Sequence, residues 1–180
     1  MSKKTNSTTL ELDHTALRAA ATQELDRGAV TPASSPYRES IVKLLNGALA
    51  TELVCVLRYK RHHFTAHGLA SPAIAEELLV HADEESGHAD LLARRIVQLG
   101  GEPDFSPKGI EERSHADYDD STDLKTMLRA DLAAERIAVE AYRQMINLIG
   151  DKDPTTRRML EEILSDEEEH ADEIRDWLDQ

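Results

Sequence analysis

An all-α protein, folded as one four-helix bundle with a single long crossover, is the architecture this sequence predicts. Three observations predict it. Four segments of 27 to 30 residues carry apolar side chains at steps of three and four. No stretch alternates apolar and polar residues with period two. Glycine and proline divide the segments so that two connections are short and one is long.

Residues 1–36 form an N-terminal extension. The first nine are polar, rich in Ser and Thr, and expected to be mobile. From Leu10 to Val30 a modest helical pattern (Leu12, Ala16, Ala19, Leu25) ends at Gly28, Pro32 and Pro36, and is read as a short extra helix. The bundle occupies 37–180. Its first helix spans Tyr37–Ala66, with Gly68 and Pro72 separating it from a second over Pro72–Leu99 that stops at Gly100-Gly101. A third runs over Thr122–Ile149 to Gly150, and the fourth from Pro154 onward. Proline suits the first turn of a helix and glycine its C-terminal cap. Connections of about five residues force antiparallel hairpins for the first and last pairs. The 23 residues at 100–122 reach at most roughly 75 Å when extended, enough to run the length of the bundle. A short helix near Lys108–Ala116 fits within that crossover.

Composition narrows the function. The 180 residues carry 35 Asp+Glu against 21 Lys+Arg, a formal charge of -14. Duplex nucleic acid is therefore an unlikely main partner, since binding it takes clustered cations, and metal cations are favoured. A single cysteine offers no disulfide framework and fits a reducing cytoplasm. No apolar run approaches the roughly 18 residues of a membrane span, and Met1–Ser7 leads into no secretory signal.

The informative residues lie on the core stripes. The first helix places Glu52 between Leu49 and Val56. The second places His81, Glu85 and His88 between Leu78 and Leu92; the third places Glu135 between Leu132 and Val139; the fourth places Glu167 and His170 between Ile163 and Ile174. Each helix thus turns a carboxylate inward at mid-length, and two add a histidine one turn on. Buried unpaired carboxylates are costly enough to protonate or to loosen the fold. Two divalent cations would balance four glutamates with two neutral histidines, and this donor set suits iron, with manganese possible. The pattern also repeats, with Glu52 to Glu85 spanning 33 residues and Glu135 to Glu167 spanning 32. Glu-x-x-His is otherwise a cheap match in an acidic chain: Glu11/His14 and Glu112/His115 also fit, but neither has a strong apolar seam. Tyr59 and the matching Tyr142 are placed to hydrogen-bond a ligand carboxylate, to donate electrons, or to fill the core. His81 is read as a residue backing or leading to the metals, or as a satisfied core histidine. Cys55 and Trp177 are read as core.

Flanking text as well as motifs carry a family resemblance. Leu128–Glu135, Leu164–His170, Glu52-Leu53-Val54 with Tyr59, and Glu85–Asp90 resemble the four helices of bacterioferritins. The resemblance covers about 38–178 and implies a ferritin-like four-helix bundle with one long B–C crossover. It also implies a di-iron ferroxidase centre: Glu52 and His88 on one iron, Glu135 and His170 on the other, Glu85 and Glu167 bridging. Ser86 stands where that family has its haem methionine, so no haem is expected. Only ten residues follow His170, leaving no room for the short fifth helix of 24-subunit ferritins. The longer crossover and the arm resemble Dps-like mini-ferritins, which favours a homo-oligomer of twelve over twenty-four. The cysteine pair of some mini-ferritins is not reproduced by Cys55 alone.

The function expected from this reading is oxidation of Fe(II) by O2 or hydrogen peroxide, with Fe(III) mineralised inside an oligomeric shell. The alternatives are a rubrerythrin-type peroxidase or manganese catalase with the same ligands, and a Dps-like DNA-protecting mini-ferritin. No Cys-x-x-Cys pair supports a rubredoxin domain, and Lys3 and Lys4 are thin support for DNA coating.

Overall fold

The computed structural model describes residues 10–33, 35–68 and 71–179, so residues 1–9, with Lys3 and Lys4, lie outside it. The described residues are helical with no strand. A short helix α1 (His14–Ala21) precedes four long ones: α2 (Arg38–Thr65), α3 (Ser71–Gln98), α5 (Leu124–Ile149) and α6 (Pro154–Leu178). Between α3 and α5 the crossover holds one turn of helix, α4 (Ile110–Arg113), shorter than the stretch the sequence suggested. The boundaries have local causes. Asp123 and Asp153 cap α5 and α6 by accepting from the Thr126 and Thr156 backbone N–H groups, each at 3.0 Å. Pro154 opens α6 at a position whose N–H has no helical acceptor. Gly100 closes α3 at φ +72°, which glycine reaches without steric cost.

The bundle consists of two antiparallel hairpins, α2 with α3 and α5 with α6, and the crossover lies along α2. Near one end Asn46 donates to the Glu102 carbonyl (3.1 Å) and accepts from the Asp104 N–H (2.8 Å). Near the other, Arg58 and Arg61 donate to the carbonyls of Asp117 (3.1 Å) and Asp120 (2.7 Å). At its start the crossover passes so near α2 that a Cβ on Gly101 would stand 2.6 Å from Val42.

The apolar core is divided. One cluster joins Leu45, Leu49, Leu92, Ile96, Leu160 and Ile163 toward one end of the bundle. A second joins Cys55, Leu78, Ala82, Leu128 and Ile174, with Trp177 packed partly buried against it. Each fully buried aliphatic side chain stabilises the fold by about 1.5–3 kcal/mol. Between the clusters lies a belt of buried polar residues. Of the described helices only α2 passes a length-and-hydropathy test for crossing a membrane, although it contains no unbroken apolar run of that length. Half of that stretch is buried in the bundle, and α2 also buries Glu52, Arg58 and His62, so its apolar face belongs to the core.

Candidate metal centre

The belt brings together every ligand residue expected from the sequence. Glu52, Glu85, Glu135 and Glu167 are each no more than 1% exposed, and His88 and His170 are 5% and 4% exposed. Two groups of ligand atoms emerge, each with all its members within 4.8 Å of one another. One is Glu52, Glu85, His88 and Glu167; the other is Glu85, Glu135, Glu167 and His170. Glu85 and Glu167 belong to both. Helix geometry produces this, because a residue three positions after a glutamate returns to the same face one turn on.

Protein groups alone do not satisfy this belt. Glu85 Oε1, Glu135 Oε2, Glu167 Oε1 and His170 Nδ1 are buried without a well-formed hydrogen bond; His170 Nδ1 stands 3.4 Å from Glu85 Oε1 and His88 Nδ1 3.1 Å from Glu167 Oε1 as ion-pair contacts only. Four such atoms facing a common centre are what a pair of cations would relieve, and a set of carboxylates and imidazoles fits iron or manganese. The same crowding shows in the acidities. Burial, reinforced by the neighbouring Glu85 charge, pushes Glu52, Glu135 and Glu167 above their ordinary values. Burial acts upward on Glu85 as well, but the ion-pair contact of His170 and the hydrogen bond and charge of His88 more than reverse it and hold that carboxyl low. Burial opposes charging of His170, yet Glu85 and Glu135 prevail and push it up to about 9. His88 is raised in the same way, chiefly by Glu85. These directions are the ones expected of a belt whose charges are left for protons or cations to balance.

A second ring of contacts repeats the twofold pattern. Tyr59 of α2 donates its hydroxyl to Glu135 of α5, and Tyr142 of α5 donates to Glu52 of α2. Of the roles the sequence left open for these tyrosines, the contacts are hydrogen bonds to a carboxylate, each on the opposite helix. His170 Nε2 donates to Glu84 at 2.9 Å and His88 Nε2 to Asp166 at 3.2 Å. Glu84 and Asp166 each immediately precede a shared glutamate within an acidic run, off the apolar stripe that marks the inward residues. A proton kept on Nε2 by these carboxylates would leave Nδ1, once it loses its own proton, free to bind a cation at the centre.

His81 is buried with its ring stacked 4.2 Å from that of His170, and its Nε2 lies 3.0 Å from Glu173. It also forms a third, smaller group with Glu84 and His170. Cys55 is buried, and burial raises its thiol well above the ordinary value, so it packs as a small hydrophobe. His14 and Glu11 are exposed, while His115 packs against Gly47, so neither extra Glu-x-x-His joins a ligand group.

Sequence reasoning missed a buried ionic network beside the centre. Arg58 Nε donates to Asp131 at 2.9 Å, and His62 Nδ1 lies 2.9 Å from the same carboxylate. His62 Nε2 reaches Asp119 of the crossover at 3.2 Å. All but Asp119 are fully buried. A signal existed, since Asp131 lies three residues after Leu128 and four before Glu135, on the inward stripe of α5.

Comparisons with known proteins give the family. The ferritin-like domain family matches residues 42–180. The bacterioferritin of Desulfovibrio desulfuricans is 27% identical over 134 residues, covering 74% of this chain and 71% of that protein. A nutrient stress-induced DNA-binding protein of a Synechococcus species is 33% identical over 139 residues, covering 74% and 78%. Among solved structures, the dodecameric thioferritin of Bacteroides fragilis superposes with a TM-score of 0.75 at 32% identity, covering 78% and 85%. The family match covers α2 from residue 42 onward, the crossover and the other three long helices, and the chain belongs to the ferritin-like family.

Proposed function

We propose that this chain is a ferroxidase subunit that stores or detoxifies iron, taking Fe(II) as its substrate at the belt between the two core clusters. The observation that carries the reading is the pair of four-residue groups sharing Glu85 and Glu167, with ligand atoms that lack a well-formed hydrogen bond facing the space between them. In this reading Glu52 and His88 hold one Fe(II), Glu135 and His170 the other, and Glu85 and Glu167 span both. Each Fe(II) gives up one electron. The pair reduces hydrogen peroxide and two protons to two waters, or O2 and two protons to hydrogen peroxide.

The chain supplies position and charge. The shared glutamates hold the two ions at a fixed separation, so both electrons reach one oxidant. Tyr59 and Tyr142 hold Glu135 and Glu52 in their inward orientation, while Glu84 and Asp166 set the imidazole tautomers. Fe(III) then leaves to mineralise in a shell of about twelve subunits, an assembly supported by the dodecameric relative. With Ser86 exposed on α3, no protein-derived sulfur ligand for haem is expected there. A DNA-coating role has relatives named for it but is opposed by the charge of -14.

The test is aerobic addition of Fe(II), or anaerobic addition followed by peroxide, with iron and protein then followed through size exclusion. The reading expects rapid formation of Fe(III) that co-elutes with an oligomer. Iron that oxidises at the protein-free rate and precipitates would refute it.

A further inference from the structure

His170 stands between two polar spaces. On one side its Nδ1 faces the buried carboxylates, 3.4 Å from Glu85 and 3.9 Å from Glu135. On the other its Nε2 lies 2.9 Å from Glu84, beside a cavity of about 160 Å3 between α3 and α6. Glu77 and Glu84 of α3 and Asp166, Glu169 and Glu173 of α6 line that cavity, and no lysine or arginine does. All five acidic residues are exposed, whereas the two histidines that line it, His81 and His170, are 1% and 4% exposed. The acids therefore form the mouth and the imidazoles the floor, one ring away from the metal centre.

The fold does not require a histidine at position 81. The internal repeat that matches Glu85 with Glu167 and His88 with His170 sets Ile163 at the place of His81 and Leu91 at the place of Glu173. Ile163 belongs to the apolar core. The two hairpins are thus alike at the metal ligands and differ here, where one has aliphatic residues and the other an imidazole and a carboxylate. The imidazole is also poorly satisfied. Its Nε2 lies 3.0 Å from Glu173, but its Nδ1 is buried with no hydrogen-bond partner, an arrangement that proteins tolerate where a function calls for it. Ligand atoms of His81, Glu84 and His170 lie within 4.8 Å of one another.

We infer that His81, Glu84 and Glu173 form a third cation site, which takes Fe(II) from solvent and passes it to the buried pair of positions. Five carboxylates around one small cavity concentrate divalent cations at its mouth. Carboxylate oxygens with an imidazole nitrogen suit Fe(II), and His81 gives up its Nε2 proton when the ion binds. Glu84 accepts from His170 and also meets the ion, so the ion arrives beside the ring whose other nitrogen faces the centre. Two of the three ligands are about half exposed, Glu84 at 50% and Glu173 at 45%, so the ion keeps water and is held less tightly than at the centre. That suits a site of passage. The inference rests on the ferroxidase reading and deepens it by giving the substrate a way in.

The experiment is an anaerobic calorimetric titration of the metal-free full-length protein with Fe(II) alone, followed by stopped-flow oxidation with O2. Wild type is compared with Glu173→Ala and His81→Leu. Glu173 is exposed, and leucine at 81 is aliphatic like the matching Ile163, so both variants keep the fold. The wild type is expected to bind two Fe(II) tightly and a third more weakly, and each variant to lose only the third. Oxidation in the variants should slow by roughly tenfold at Fe(II) below saturation and return to the wild-type rate at saturation. A side chain that merely braces the fold would slow it at every concentration, and that result overturns the site. So does a wild type with no third Fe(II), or a third that both variants retain. Loss of the third with an unchanged rate below saturation overturns the passage to the centre. No tightly bound Fe(II) in the wild type is the separate failure of the ferroxidase reading, and it removes this inference too.

Discussion

Glu84 on α3 accepts a hydrogen bond from His170 on α6, and Asp166 on α6 does the same for His88 on α3. Each hairpin thus orients the histidine of the other through an acid beside its own shared glutamate. In the proposed function the carboxylate keeps the proton on Nε2 and enriches the electron density at Nδ1, so it would act on a bound metal through the ring. Glu84 is half-exposed, so Glu84→Ala should leave the fold unchanged. Its expected effect is a weakening of Fe(II) affinity by about 10- to 100-fold, measured by anaerobic titration. Unchanged affinity would show that the imidazole is oriented by packing alone.

Tyr59 and Tyr142 differ from their phenylalanine counterparts only by the hydroxyl that reaches Glu135 or Glu52. Removing it leaves a buried carboxyl with one donor fewer, at a cost of about 1–3 kcal/mol. Tyr59→Phe and Tyr142→Phe are each expected to lower the stability of the metal-free protein by that amount in urea unfolding. They should also slow Fe(II) oxidation, because the ligand carboxylate is no longer held in place.

The Arg58–Asp131–His62 network ties α2 to α5, and Arg58 and His62 also reach the crossover. Removing one partner of a buried ion pair costs about 3–5 kcal/mol, whereas replacing both with apolar residues is often nearly neutral. Asp131→Ala should therefore destabilise strongly, and Arg58→Met with Asp131→Leu much less, both read from urea midpoints. If the two variants were equally destabilised, the network's role would be tertiary packing alone.

The acidities fix the sign of the pH dependence. His170 carries a folded-state value of about 9, above the ordinary 6.5. A raised histidine stabilises the folded state fully below its unfolded value, and that contribution is lost as pH rises through the folded value. The metal-free protein should therefore lose stability from this group between about pH 6.5 and 9. Two divalent cations would take over the role of those protons, so the loss should vanish on loading. Raised glutamates and histidines must also release protons when cations bind, so affinity should fall as pH falls. Calorimetry in buffers of different ionisation enthalpy measures that release directly.

Much of the bundle was readable because its signals are local. Long amphipathic periods, capping aspartates and punctuating glycines act within one helix. The buried carboxylate belt was readable because Glu52, Glu85, Glu135 and Glu167 interrupt otherwise apolar stripes, where a charge needs a reason. The ring behind it was less so. Arg58 sits in the run Arg58-Tyr59-Lys60-Arg61-His62-His63, which resembles a solvated face until the crossover lies over it. Glu84 and Asp166 stand in acidic runs, and only the approach of the opposite hairpin singles them out. Tyr59 was located by its helix, but its partner depended on how α2 and α5 pack. Side chains whose role depends on a remote segment leave little trace in the spacing of their own helix.

The most direct test of the account is an anaerobic Fe(II) titration of the metal-free protein, wild type beside Glu85→Ala, with helicity checked by circular dichroism. Because Glu85 belongs to both ligand groups, its loss should damage both positions at once. The account predicts two tightly bound Fe(II) per wild-type chain, oxidised rapidly on a pulse of O2 or peroxide. It predicts neither tight site in a variant that keeps its helices. Equal stoichiometry and equal oxidation rates in the two proteins would contradict it, and the buried carboxylates would then not be ligands.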